Sequence, residues 1–141
     1  MPIKIAATKW TGDFRTGSGT IAPGSGNFEA DYCFDSIIGE GPGTSPVEML
    51  AAAVSGCFTS TLSGALTSAG YTVESIESEA KAYLDKVDGI WAITQIELHV
   101  QAKVPGIDES VFLQHVHKVA KGCPVSKAVS SVEIVVTAEL V

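Results

Sequence analysis

Between Glu48 and Glu74 the chain carries no charged residue. A stretch of that length is either a bilayer span or a helix whose sides are taken up by the rest of the fold. Residues 55 to 70 include seven Ser or Thr and three Gly, so the run is only mildly apolar. That favours a central helix, buried on most sides, in a soluble protein rather than in a membrane. Its start is written out in Ser45-Pro46-Val47-Glu48. Ser45 suits the N-cap, Pro46 the first helical position, and Glu48 the acidic place of a capping box. The helix is expected to run to about Ala69, with Gly70 as its stop. Its many Ala, Gly and Ser residues let other backbone come close, which places it between layers.

The flanking sequence supplies those layers. Lys4 to Thr11, a strand from Gly19, and Phe28 to Phe34 read as three strands of an antiparallel meander, separated by turns at Gly12–Gly17 and Pro23–Asn27. Thr72 to Leu84 and Ile90 to Val104 read as long strands joined by Asp85–Gly89. In the second, Ile90, Ala92, Ile96, Leu98, Val100 and Ala102 share one face, with Gln95, Glu97, His99, Gln101 and Lys103 opposite. An amphipathic helix from Ile107 or Asp108 to Lys121, a short helix opened by Cys123-Pro124, and a strand from Val132 to Leu140 complete the chain. The pattern predicts one α+β domain over residues 1–141, with antiparallel sheets packed around a long central helix.

A formal charge of −7 and a single arginine, Arg15, beside eight lysines leave no basic surface for a phosphate backbone, so nucleic acid is not an expected partner. The first residues, Met1-Pro2-Ile3-Lys4-Ile5, do not have the pattern of a secretory signal. Three cysteines form no disulfide framework, which suits a reducing cytoplasm where thiols are catalytic or simply buried.

Two of those cysteines sit in unlike settings. Cys57 lies within the uncharged helix, and Cys123 opens Gly122-Cys123-Pro124-Val125-Ser126-Lys127. Their spacing excludes a local redox loop or a zinc knuckle. On the residues alone two readings stand. Each is a small buried hydrophobe, or the two form a pair that meets on folding, one thiol attacking and the other resolving. Unpaired N–H groups at a helix start favour a thiolate at Cys123, whereas Cys57, in mid-helix, needs a cation from elsewhere.

Beyond local physics, the ordered set of motifs resembles the OsmC/Ohr family. The resemblance is carried by Trp10 and Gly12 with Gly17 and Gly19, by Ser45-Pro46, Glu48, Leu50, Ala52-Ala53 and Cys57-Phe58, by Leu84 to Asp88 and Val104 to Asp108, and by Gly122 to Lys127. It covers nearly the whole chain and is closer to the OsmC branch than to Ohr. The resemblance implies a thiol-dependent hydroperoxide reductase of the bacterial cytoplasm, an intertwined homodimer with its site at the subunit interface. It makes Cys57 the peroxidatic and Cys123 the resolving cysteine. It also implies organic hydroperoxides as substrate, an external dithiol (such as a lipoyl-bearing protein) as reductant, and no metal or organic cofactor.

Two family positions differ. The family glutamate after the helix-start proline is Val47 here, and the OsmC-branch arginine after the Tyr-x-Phe motif is Ile37. Glu48 stands one step later, which puts it on the far side of the helix from Cys57. It is a candidate catalytic acid and, more simply, a capping acid. Arg15 lies where the Ohr branch has its arginine. It is either the cation that steadies the thiolate and the peroxide oxygen or a solvated turn residue. These departures keep two other classes open: a non-catalytic protein that binds a small apolar ligand, and a thiol-based sensor or disulfide carrier. Cys33 reads as a packed strand thiol. Tyr32, Phe34, Phe58 and Trp91 are candidates for an apolar substrate pocket or for core. His115 and His117 are two apart on a helix and cannot share one metal. Lys127 is one turn beyond Cys123 and is either a support for its thiolate or solvated.

Overall fold

The computed structural model describes residues 1–141 and divides into two compact units, Met1–Met49 and Leu50–Val141. The first unit holds strands β1 (Ala6–Thr11), β2 (Ser18–Pro23) and β3 (Ala30–Cys33) in an antiparallel sheet of order β1-β2-β3. Gly19 is paired with Trp10 on one side and Tyr32 on the other. A Cβ there would lie 2.6 Å from the Tyr32 ring and 2.8 Å from that of Trp10. Only glycine lets these rings close to a centroid separation of 5.4 Å.

The third strand is shorter than its sequence suggests. The chain turns at Cys33 into helix α1 (Phe34–Ile38). The cause is local hydrogen bonding. Cys33 N–H donates to Ser36 Oγ at 2.8 Å, and that hydroxyl reaches the Cys33 carbonyl at 2.9 Å. A short polar side chain three residues into a turn competes with the sheet ladder for the same backbone groups.

Helix α2 (Pro46–Ser68) links the units and starts as the sequence predicts. Ser45 Oγ accepts the Glu48 N–H at 3.0 Å, and Thr44 Oγ1 donates to the Glu48 carboxylate at 3.1 Å. It stops at Gly70, whose φ of 93° is the left-handed conformation glycine adopts without cost. Tyr71 N–H then reaches back to the Leu66 carbonyl at 3.1 Å and closes the last turn.

The expectation that α2 is buried on most sides is corrected within one chain. Ala51, Val54, Phe58, Leu62 and Leu66 form a single buried stripe, while Ala52, Ala53, Gly56, Ser60 and Gly64 stay exposed. The helix is long and apolar enough by length and composition to cross a membrane. Val54, Phe58, Leu62 and Leu66 nevertheless lie in the protein core, and beyond the first turn the exposed side is Ala, Gly, Ser and Thr.

The second unit sets α2 against strands β4 (Ser75–Val87), β5 (Ile90–Lys103) and β6 (Glu133–Leu140). Ser55 Oγ donates to the Ser78 carbonyl of β4 at 3.0 Å. β4 and β5 form an antiparallel hairpin that continues to Val87 and Ile90. The connection is therefore two residues, Asp88 and Gly89, rather than the five from Asp85. Both have positive φ, 52° and 78°, the conformation that matches the twist of the flanking strands.

A bulge between Tyr83 and Leu84, opposite Gln95 and Ile93, leaves Thr94 without a partner. One extra residue inverts the side-chain phase. Ile93 packs on the core and Ile90 is 72% exposed, so the predicted shared face holds for Ile96, Leu98, Val100 and Ala102 but not for Ile90.

Helices α3 (Glu109–Gly122) and α4 (Pro124–Ala128) carry the chain from β5 to β6, which pairs with β5 in parallel. The second sheet is thus mixed, not wholly antiparallel, because a connection through two helices lets the chain re-enter in the same direction. The core lies between this sheet, α2 and α3, around Phe58, Leu62, Ile96, Leu98, Phe112 and Val116.

Candidate functional site

Both predicted cysteines belong to the second unit, and the core brings them into one apolar cluster. Cys57 is half-buried and packs against that cluster next to Phe58, which is fully buried. Its Sγ lies 4.0 Å from Thr61 Oγ1, one turn further along α2. Cys123 is fully buried. It occupies the N-cap of α4, with Pro124 at the first helical position, where a missing N–H costs nothing. Its N–H reaches the Val119 carbonyl of α3 at 3.0 Å, and its carbonyl accepts from Lys127 N–H at 3.0 Å. Backbone on both sides therefore fixes the residue, and its Sγ lies 2.8 Å from Ser126 Oγ.

All three cysteines are free thiols. Cys57 is a half-buried thiol on the edge of the core and Cys123 a buried thiol within it, and a half-buried thiol remains open to a small oxidant.

Arg15 and Glu48 belong to the first unit. Arg15 is exposed in the turn after β1, where the Asp13 carboxylate accepts its N–H and that of Thr16, each at 2.9 Å. The Thr16 hydroxyl also donates to Asp13. That side-chain bond, followed by the two backbone bonds, holds the Asp13 carboxyl below its ordinary 3.8. The Arg15 guanidinium lies 5.0 Å from the centroid of Phe34, whose edge-to-face partner, also at 5.0 Å, is Phe14. It forms no salt bridge, and its recorded partner is the aromatic face of Phe34. Glu48 is held by Thr44 and lies nine residues before Cys57 on α2, half a turn out of phase. Val47 and Ile37 are both half-buried.

The four aromatic candidates separate. Phe58 is core, Tyr32 and Phe34 belong to the aromatic group of the first unit, and Trp91 is 47% exposed beneath Lys86 at 5.1 Å. Cys33 is half-buried at the N-cap of α1, with its Sγ 3.7 Å from the Pro42 carbonyl. It lines an open cavity of about 610 Å³ with Lys9, Thr11, Ser18, Asp31 and Tyr32. Lys127 is exposed, and its backbone N–H donates to the Cys123 carbonyl. His99 bonds Thr137 Oγ1 at 3.0 Å and faces Glu139 at 3.6 Å on the outer side of the second sheet. No group of three or more His, Cys, Asp or Glu is placed to hold a metal. Sequence reasoning overlooked Ser126 and Thr61. The available signal was a hydroxyl three or four residues after each cysteine, the spacing at which helix side chains meet.

Residues 39–139 match the family of OsmC-like proteins. The chain is 40% identical over 129 residues to Peroxiredoxin OsmC of Escherichia coli (strain K12), covering 91% of this chain and 90% of that one. Among solved structures, the organic hydroperoxide resistance protein OhrB of Bacillus subtilis superposes with a TM-score of 0.72 at 24% identity, covering 97% of this chain and 98% of that one. An OsmC-like protein from Mycoplasma pneumoniae superposes with a TM-score of 0.77 at 17% identity, covering 99% and 98%.

Proposed function

Because this chain belongs to the OsmC-like family, we propose that it is a thiol-dependent peroxidase that reduces organic hydroperoxides through Cys57 and Cys123. The observation that carries the reading is the packing of both thiols on one apolar cluster, Cys57 at its edge and Cys123 inside it. The name of the Escherichia coli relative and the description of the Bacillus subtilis structure point to the same chemistry.

In this reading the Cys57 thiolate attacks the terminal oxygen of the peroxide. The O–O bond breaks, an alcohol leaves after taking up a proton, and Cys57 becomes a sulfenic acid. Cys123 then attacks that sulfur. An S–S bond forms, the S–O bond breaks, and water leaves with the proton that Cys123 gave up. An external dithiol, free or lipoyl-bearing, returns two electrons and two protons by exchange and departs as a disulfide. No metal or prosthetic group takes part in any step.

Arg15, the one guanidinium in the chain, is the cation we assign to the thiolate and the peroxide oxygen. Glu48 serves first as the capping acid of α2, and a role in the reaction is secondary to that. The whole of residues 1–141 acts as one domain, as a homodimer in the cytoplasm, with the exposed small-residue side of α2 available to a second copy.

The test is consumption of cumene hydroperoxide, and separately of hydrogen peroxide, with dithiothreitol or dihydrolipoamide, wild type beside Cys57→Ser. Rapid turnover that is lost in the variant is the expected result. Equal rates in the two proteins, with thiols confirmed reduced, would overturn the assignment. Val47, Ile37 and the stacking of Arg15 on an aromatic ring favour a second reading, a non-catalytic protein that binds a small apolar ligand. Ligand binding that survives Cys57→Ser, with no turnover in wild type, is its signature.

A further inference from the structure

We infer that Ser126 is a positioning residue for Cys123, orienting its sulfur and donating a hydrogen bond to its thiolate when the disulfide forms. The inference rests on the peroxidase reading above and adds to it a residue and a step. Three observations support it. Ser126 is itself buried, with 3% of its surface accessible, on a short helix whose other polar side chain, Lys127, is exposed. The one hydrogen-bond partner of its hydroxyl is Cys123 Sγ, at 2.8 Å. No charged side chain is buried anywhere in the chain, and the flanking Lys121 and Lys127 are both exposed.

A buried thiol in such surroundings has little to stabilise a negative charge. The α4 helix is five residues long, so its dipole adds little. The hydroxyl is the one side-chain donor at hand. In the resting thiol either atom can donate, but a thiolate accepts only, so ionisation turns Ser126 into the donor without moving a heavy atom. That arrangement presents a ready nucleophile to the Cys57 sulfenic acid. The Cys123 proton is given up, the new S–S bond displaces hydroxide from Cys57, and water leaves.

The inference locates the effect at resolution and not at peroxide attack, which separates it from a general structural role. Rapid mixing of reduced protein with cumene hydroperoxide, without reductant, resolves the two phases. Sulfenic acid formation on Cys57 is followed by trapping with dimedone, and disulfide formation by loss of the second free thiol, that of Cys123. In Ser126→Ala the first phase keeps its rate. The second slows about tenfold, the size expected when a charged group loses one hydrogen bond. The pH at which it reaches half its limiting rate rises by about one unit, the same tenfold expressed as a titration.

Ser126→Thr and Ser126→Val add nearly the same volume to a tight site, and only the first keeps the hydroxyl. Thr is expected to restore the rate and the pH profile, and Val is not. Equal slowing by Thr and Val, or an unchanged second phase in Ser126→Ala, overturns the inference. Normal Cys57 oxidation with unchanged resolution overturns it alone, whereas a wild type whose Cys57 is never oxidised overturns the peroxidase reading with it.

Discussion

Phe58→Ala tests the phase of the helix that carries Cys57. Phe58 has no accessible surface and sits in the buried stripe between Val54 and Leu62, against the second sheet. Its neighbours Ile96, Leu98 and Phe112 are also fully buried and are fixed by strand pairing or by their own helix, so the site has little room to collapse. The loss should therefore fall in the range of about 3–5 kcal/mol seen for aromatic truncation in a rigid core. Against the roughly 5–15 kcal/mol that holds an ordinary domain together, that is a large share. It lowers Tm by about 10–20 °C for a chain of this size. Ser60→Ala, on the exposed side of the same helix, is the control. Its hydroxyl only bonds back to the Gly56 and Cys57 carbonyls, so its loss costs within about 0.5 kcal/mol. Urea denaturation followed by far-UV circular dichroism, at one fixed protein concentration because association shifts apparent stability, gives both values. A Phe58→Ala loss below about 1 kcal/mol, or one no larger than that of Ser60→Ala, would mean that the buried stripe of α2 has been assigned to the wrong side, and Cys57 with it.

Other expectations concern the reaction and the first unit. Cys123→Ser should undergo a single oxidation and leave a sulfenic acid on Cys57 that dimedone traps; a protein that yields no adduct would remove Cys123 from the resolving role. Arg15→Ala should slow thiolate attack, and an unchanged second-order rate with peroxide would take Arg15 out of the reaction. Gly19→Ala should destabilise the first unit by about 1–3 kcal/mol, since the new Cβ would press within 3 Å of both the Trp10 and Tyr32 rings; a neutral result in thermal melts counts against the packing of that pair. The Asp13 carboxyl is held below 3.8 by Thr16 and Arg15, so its stabilisation of the Arg15 turn is complete above that value and is lost as pH falls through the folded one. Carboxyl NMR should place its midpoint below 3.8, and a midpoint at or above that value would refute the bonding.

Much of the architecture can be read locally because local chemistry decides it. The start and stop of α2 are set by Ser45, Pro46, Glu48 and Gly70, each of which satisfies backbone groups within one turn. The β4–β5 hairpin is equally local, although its turn shrank to Asp88-Gly89 because both residues take positive φ. What escapes the sequence is set by pairing at a distance. The bulge at Thr94 inverts the face of Ile90 to Ile93, and alternation alone carries no mark of it. The parallel course of β6 depends on how α3 and α4 carry the chain back, which no residue in Val132 to Leu140 records. The one-sided burial of α2 is of the same kind. An uncharged helix shows that few charges are wanted near it, not that every side is covered by its own chain.

The site divides along the same line. Cys123 and its surroundings are legible because Gly122 to Lys127 is a short segment in which cap, proline and hydroxyl act on one another. Cys57 is legible as a reactive candidate only beside a partner, since the one hydrogen-bond partner of its sulfur is Thr61, a neutral hydroxyl. The cation is hardest to read. An arginine works through a flexible side chain, so sequence position says little about where its charge ends up. In this chain Val47 and Ile37 stand where the family resemblance leads one to expect a glutamate and an arginine, and the one guanidinium lies over Phe34. A cation held on an aromatic face is attracted less strongly and with less directional preference than one bridged to a carboxylate. It is correspondingly freer to turn toward a developing anion, and correspondingly worse at holding that position beforehand. The contribution we assign to Arg15 is therefore larger in the transition state than in the resting site, and Arg15→Ala should lower the rate of peroxide attack while changing stability by no more than about 1 kcal/mol, the size of an exposed cation–π contact.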